Sequence, residues 1–274
     1  MNMYQNQVVW ITGASSGIGE ALAVEFAKQG AHLILSARRR EALEKVRENC
    51  AHGGGDVLVL PLDVTDEAAM PECVSQARAF KGRLDVLINN AGISQRSSCQ
   101  TTEMETYRAL FEVDVFGQIA LTKLVLPIMV GQGSGHLAVT SSVAGKIGVP
   151  FRTGYCAAKH AMMGFFDALR SEVTHLNIKV SIITPGFIRT NISKNALVGD
   201  GSALGVTDSN IAKGISAEEC AQVVIKGLAK SKSEIPVGRG MEMHTLWIKR
   251  LFPRLLDRLM ADQYQKRTAT DDFK

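Results

Sequence analysis

Six short runs dominated by apolar residues recur along the chain, separated by longer amphipathic stretches. The runs are VVWIT (8–12), HLILS (32–36), VLVLPL (57–62), LDVLI (84–88), HLAVTS (136–141) and KVSIIT (179–184). Four of the six are almost wholly apolar rather than alternating, as strands buried on both faces must be. Residues 18–29, 41–50, 103–113, 117–130 and 155–175 between them carry helical spacing. This alternation predicts an α/β fold, a doubly wound parallel sheet with helices on both faces. Residues 66–80 also read as helical, but Pro71 lies too deep for a first-turn proline, so that helix begins late or bends. SAEE (216–219) is a capping box that opens a helix reaching about Ala229.

The 274 residues show no internal repeat, low-complexity tract or linker, and are read as one domain over 1–274. A net charge of +4 is too weak and dispersed to argue for nucleic acid. Five widely spaced cysteines without a CxxC pair argue for free thiols in a reducing compartment and against a zinc site. The opening MNMYQNQVVWITGASSG lacks a basic segment followed by an apolar one. No window reaches the ~18 unbroken apolar residues of a spanning helix. The expectation is a cytoplasmic protein.

TGASSGIG (12–19) joins the first strand to the first helix. Gly13, Gly17 and Gly19 there allow a tight turn, close backbone approach to a pyrophosphate, and close helix–sheet packing. The helix N-terminus aims free N–H groups at the phosphates, and Ser15, Ser16 and Ile18 share the turn. NNAG (89–92), Ser142 with YCAAK (155–159), and PGFIRT (185–190) follow in order. With these four motifs, residues 7–237 resemble the short-chain dehydrogenases/reductases of the compact, single-domain kind. The resemblance implies a Rossmann sheet of about seven strands, a nicotinamide cofactor and hydride transfer. It also places Asp63 and Val64 of LDVTD at the adenine, Asn90, Ala91 and Gly92 against the cofactor, and Pro185, Gly186, Ile188 and Thr190 near the nicotinamide.

At the end of the second strand LILSARRRE has no carboxylate to accept from a ribose 2′-hydroxyl, and Arg38 and Arg39 follow at once. A guanidinium there suits a 2′-phosphate, so NADP(H) is expected over NAD(H), with Arg38 as the leading phosphate ligand and Ser15 as helper. A plain solvated helix start is the competing reading.

Tyr155 and Lys159 stand four residues apart and share one helix face. A free phenol with a pKa of ~10 is only about 0.1% ionised at neutral pH; a nearby ammonium favours the charged form, which makes an acid–base group usable near pH 7. Ser142 lies at the end of the fifth strand, the edge where ligands of open α/β sheets bind, and its hydroxyl can hold a substrate oxygen. Ser141 competes for that role, because alternation along a strand lets only one of the two face the cleft; the family's spacing favours Ser142. By the resemblance, Lys159 also bonds the nicotinamide ribose. The family usually places an asparagine where FEVDVFGQ has Asp114, its backbone carbonyl holding a relay water. Asp114 is therefore counted with the catalytic residues and expected to be solvated or paired away from Lys159.

Residues 191–214, rich in Gly, Ser and Asn with little periodicity, are read as a substrate lid. The helix bearing Tyr155 shows more apolar surface than one stripe needs, which argues for a homo-dimer or homo-tetramer; burial within the monomer is the alternative. Residues 241–274 form a C-terminal extension whose 246–267 segment sets apolar pairs among six basic and two acidic residues. Peripheral membrane contact, an apolar hood over the substrate pocket, and packing on the domain or a partner subunit are the three readings. The expected function is an NADP(H)-dependent oxidoreductase interconverting a carbonyl and a secondary alcohol, with Tyr155 as acid/base. A non-catalytic NADP-binding regulator, or an isomerase or dehydratase using NADP transiently, are the alternatives. The substrate is a small-molecule carbonyl or alcohol not named by the sequence, and no metal or nucleic acid is expected.

Overall fold

A computed structural model describes residues 2–269. In chain order the elements begin β1 (Val8–Thr12), α1 (Gly17–Lys28), β2 (His32–Ser36), α2 (Arg40–Cys50), β3 (Val57–Val59), α3 (Met70–Lys81) and β4 (Val86–Asn89). They continue α4 (Met104–Phe111), α5 (Gly117–Gln132), β5 (Gly135–Thr140), α6 (Thr153–Val173), β6 (Ile178–Pro185) and α7 (Ser209–Ala212). The chain closes with α8 (Ala217–Ala229), β7 (Glu234–Val237), α9 (Met241–Leu251) and α10 (Pro253–Ala269). Seven parallel strands form one sheet in the order β3-β2-β1-β4-β5-β6-β7. The order reverses between β1 and β4, so the loops after these two strands part to opposite faces and open a crevice there.

The apolar runs are buried because both sheet faces are covered. On one side Val9, Ile11, Leu33 and Leu35 pack with Leu22, Phe26, Leu43 and Val224 from α1, α2 and α8. On the other, Val8, Trp10, Leu87 and Leu137 pack with Leu121, Met162 and Phe166 from α5 and α6. Trp10 is fully buried, and its indole N–H donates to Ser36 Oγ at 2.9 Å, which donates on to the Leu60 carbonyl at 2.7 Å. That relay satisfies the polar atoms of a large side chain inside a strand.

The expected elements shift in informative places. The VLVLPL run keeps strand pairing only over Val57–Val59, because Pro61 cannot donate to the ladder. Pro71 falls within the first turn of α3, which starts late at Met70 and resolves the proline conflict. The amphipathic stretches 103–113 and 117–130 join through a wider π-turn at Glu112–Phe116 into one helix. That helix, Met104–Gln132, is long and apolar enough to cross a membrane. Its Leu121, Val125 and Met129 are fully buried against the sheet, so it is spent on the core. β7 carries Pro236 in a four-residue edge strand, too short and broken to register as an apolar run.

Candidate active site

The loops leaving β1, β4, β5 and β6 meet at the C-terminal edge of the sheet and bring the separated motifs together. Thr12 at the end of β1 accepts through its hydroxyl from the amides of Asn90 (3.0 Å) and Ala91 (3.1 Å). Asn90 Nδ2 returns a hydrogen bond to the Thr12 carbonyl at 3.1 Å, and Thr140 of β5 donates to Asn90 Oδ1 at 3.1 Å. Asn90 is thus a strut across three strands.

The glycine turn lies against that strut. Gly13 has φ +64°, and a Cβ there would stand 2.8 Å from Ala91 Cα. Gly19 lies so close under Gly13 that a Cβ would run into the Gly13 carbonyl. Ser16 precedes α1 in extended geometry and puts no side-chain cap on its first turn; the turn's amides keep their donors for an anion. Ser15 and Ile18 are half-buried in the same turn. Thr190 packs over Gly17, its Cγ2 3.0 Å from where a Cβ would stand. A cleft of about 750 Å³ runs from there along α1, lined by Ser16, Gly17, Glu20, Glu25, Thr190 and Glu218 among others; Arg38, Asn90, Ser142 and Tyr155 are outside it. The free donors and the glycine clearance fit the pyrophosphate of a dinucleotide.

Other expected cofactor contacts occupy the same edge. Arg38 and Arg39 stand exposed between β2 and α2. Asp63 is half-buried and accepts from the Thr65 amide at 3.0 Å and hydroxyl at 2.8 Å, while Val64 is buried beneath the π-turn. Pro185 ends β6; Gly186 donates from its amide to the Val237 carbonyl at 2.7 Å, and Ile188 is buried and bridged to Ile215.

Ser142 follows β5 and faces Pro185. Its hydroxyl accepts from the Ala144 amide at 3.1 Å and donates to the Pro185 carbonyl at 3.4 Å. Ser141 turns the other way, donating to the Lys159 carbonyl at 3.1 Å. Alternation along the strand thus commits Ser141 to holding α6 and leaves Ser142 at the edge.

Lys159 and Tyr155 project from α6, and the ammonium lies 5.6 Å from the centre of the tyrosine ring. Gln95, missed at the sequence level, accepts the Gly154 amide at 2.8 Å and the Tyr155 amide at 3.4 Å through Oε1, capping this helix. The signal for it is faint: a helix opening Thr-Gly-Tyr with no cap of its own needs an acceptor from elsewhere. Arg152, immediately before α6, was likewise not singled out.

Asp114 corrects the sequence expectation. It is fully buried, accepts the Ile93 amide at 2.7 Å, and lies 3.1 Å from Lys159 Nζ, which also donates to the Thr140 carbonyl at 3.2 Å. It is neither solvated nor paired elsewhere. The π-turn carries the residue inward, and a lysine buried this deeply needs a counter-ion. Burial works against the charge of both groups. At Lys159 the facing carboxylate outweighs it and holds the ammonium above the usual lysine range. We read the pair as ammonium and carboxylate titrating as one unit.

The 191–214 segment is irregular apart from α7 and is pinned to the site. Asp208 pairs with Arg96 and lies 3.7 Å from Arg152 and 3.9 Å from Arg267. Burial opposes the Asp208 charge, but these arginines prevail and hold its carboxyl below the ordinary range. The C-terminal helices close the same side: Leu256 is buried against Val143 and Ile147, and Tyr264 stacks on Phe151 at 5.0 Å. Packing on its own domain therefore accounts for the inner face of the 246–267 segment. Residues 270–274 of the C-terminal extension lie outside the described residues.

Comparison with known proteins agrees with this fold. Residues 7–199 match the short chain dehydrogenase family model. A Drosophila melanogaster "dehydrogenase/reductase SDR family protein 7-like" is 40% identical over 269 residues, 97% of this chain and 82% of that one. Mouse "dehydrogenase/reductase SDR family member 7B" is 41% identical over 266 residues, 96% of this chain and 82% of that one. Among solved structures, levodione reductase superposes with a TM-score of 0.79 at 28% identity, covering 88% of this chain and 99% of that one. A metagenomic short-chain oxidoreductase in complex with NADP superposes at 0.72 and 27% identity, covering 87% and 100%. The chain belongs to the short-chain dehydrogenase/reductase family of oxidoreductases.

Proposed function

We propose that this protein interconverts a carbonyl compound and a secondary alcohol with NADP(H), using Tyr155 as the proton donor and acceptor. What supports the reading is that the Lys159 ammonium lies 5.6 Å from the Tyr155 ring and against Gly92 of the cofactor loop, while Ser142, beside the Ser141 that bonds the Lys159 carbonyl, ends at the same sheet edge. The bound nicotinamide supplies or takes up the hydride. The amides of the α1 turn hold its pyrophosphate, and Asn90 fixes the distance between that turn and β5.

Ser142 exchanges its long hydrogen bond to Pro185 for one to the substrate oxygen, and so holds that oxygen toward Tyr155. In reduction Tyr155 gives its hydroxyl proton to that oxygen; in oxidation it takes the proton back. Lys159 keeps a positive charge beside the ring throughout, since Asp114 holds it protonated. The preference for NADP(H) rests on Arg38 and Arg39, exposed where no carboxylate ends β2. The 191–214 segment acts as the lid, tethered by Asp208.

A homo-dimer or homo-tetramer remains the proposal from the apolar flank of α6, although Ala161 and Phe165 already pack on this domain's own core; sedimentation velocity of the purified chain reads this directly. The free cysteines support a reducing, cytoplasmic setting, which localisation of the tagged full chain tests. For the activity, the test is loss of reduced-nicotinamide absorbance with a panel of ketones and aldehydes, NADPH against NADH. Turnover with NADPH is expected; tight NADPH binding with no turnover across the panel would favour a non-catalytic role.

A further inference from the structure

Among the described residues, nothing covers the outer face of the C-terminal helix pair. Trp247, Leu251, Phe252, Leu255 and Leu259 are 67%, 62%, 61%, 48% and 43% exposed, although Leu256, Leu246, Ile248 and Met260 on the inner side pack toward Val143 and Ile147. Trp247 and Leu251 share one face of α9 and Leu255 and Leu259 one face of α10, so the exposed ridge consists of two apolar pairs with Phe252 at the break between them. Lys249, Arg250, Arg254 and Arg258 are all exposed on the same two helices, and no ion pair joins them to a described residue. Asp257 and Asp262 are the acidic residues in the 246–267 segment.

We propose that this ridge docks the protein on the surface of an anionic lipid bilayer. An apolar ridge flanked by unpaired cations matches both layers of a membrane interface: acyl chains beneath and acidic headgroups above. Trp247, the most exposed of the five, is the residue type that favours the headgroup level. The same charges argue against a second copy as the occupant, since a two-fold contact through this ridge would set like charges against each other. Docking lays the helices in the interface plane. The face they cover begins at Val143, the residue after Ser142, so the candidate active site would lie just behind the membrane surface. The proposal stands on the helix pair alone and holds whether or not the protein turns over a carbonyl.

The chain has two tryptophans, and Trp10 is fully buried, so Trp247 reports on the ridge. The full-length protein is mixed with vesicles of phosphatidylcholine alone, or with about 30% phosphatidylserine, at low and high salt; sedimentation and tryptophan emission are recorded. The expected result is a blue shift and at least about ten-fold stronger binding to the phosphatidylserine vesicles at low salt, falling sharply at high salt. The R250E/R254E/R258E variant and, separately, W247A/F252A should each lose about ten-fold or more of that binding while keeping the thermal midpoint. Absence of headgroup-dependent binding overturns the proposal, as does binding that both variants retain. Oligomers abolished by W247A/F252A, with no vesicle binding in the parent, would assign the ridge to a second copy and overturn it too.

Discussion

Replacing Asp114 by asparagine isolates what the buried carboxylate does. At 3.1 Å and an effective dielectric of ~20, its attraction to Lys159 is ~5 kcal/mol. Removing one partner of a buried pair typically costs ~3–5 kcal/mol. The Thr140 carbonyl still accepts from Nζ, so the expected loss of unfolding free energy at neutral pH is near the lower figure, ~3 kcal/mol. The sign with pH follows from Lys159, whose folded pKa is raised above the ordinary 10.5. The pair's stabilisation is lost as pH climbs through that folded pKa, and also on the acid side as Asp114, whose own pKa burial raises, takes up a proton. D114N should therefore differ most from the parent at neutral pH and approach it in strongly alkaline solution. Its kinetics should move as well. Asp114 holds Lys159 protonated beside the Tyr155 ring, so removing its charge should change the pH dependence of turnover. Urea unfolding at several pH values and a pH–rate profile with saturating NADPH measure both. A variant equally stable and with an unmoved profile would refute the coupling.

Three further outcomes follow from other parts of the molecule. Arg38→Asp should weaken NADPH about 10–100-fold while changing NADH only a few-fold, read by fluorescence titration, since one charge-assisted phosphate contact is removed; equal losses would withdraw the cofactor preference. Ser142→Ala should cost about 10²–10³ in kcat with little change in cofactor affinity. His136, buried at β5 with Nε2 2.7 Å from Ser181 Oγ, has its pKa pushed down from 6.5 to about 4 by burial. Its neutral form suits the fold above pH 6.5, and ~3 kcal/mol of stability should drain away as pH falls toward 4; His136→Gln should flatten that acid slope in urea titrations.

The sheet was legible because its central strands are buried on both faces and so read as apolar runs, while β7 escaped because a four-residue edge strand holding Pro236 makes no such run. Features whose geometry is local were also legible: the tight glycine turn and the shared helix face of Tyr155 and Lys159, whereas strand alternation left Ser141 and Ser142 open and the structure engages Ser141 with the Lys159 carbonyl. Contacts between distant segments did not read. Asp114 was misplaced because a π-turn inside a continuous helix leaves no trace in the pattern, yet it redirects the carboxylate onto Lys159. Gln95 and Asp208 act across about sixty or more residues of sequence, one capping α6 and the other gathering arginines from three segments.

Single-turnover reduction by Tyr155→Phe, with cofactor binding checked on the same sample, probes the proton transfer itself. The ring and its packing on Ala144 and Cys156 persist in that variant, so NADPH should bind as before while the rate drops about 10²–10⁴-fold. Reduction at the parent's rate would mean that the proton comes from elsewhere.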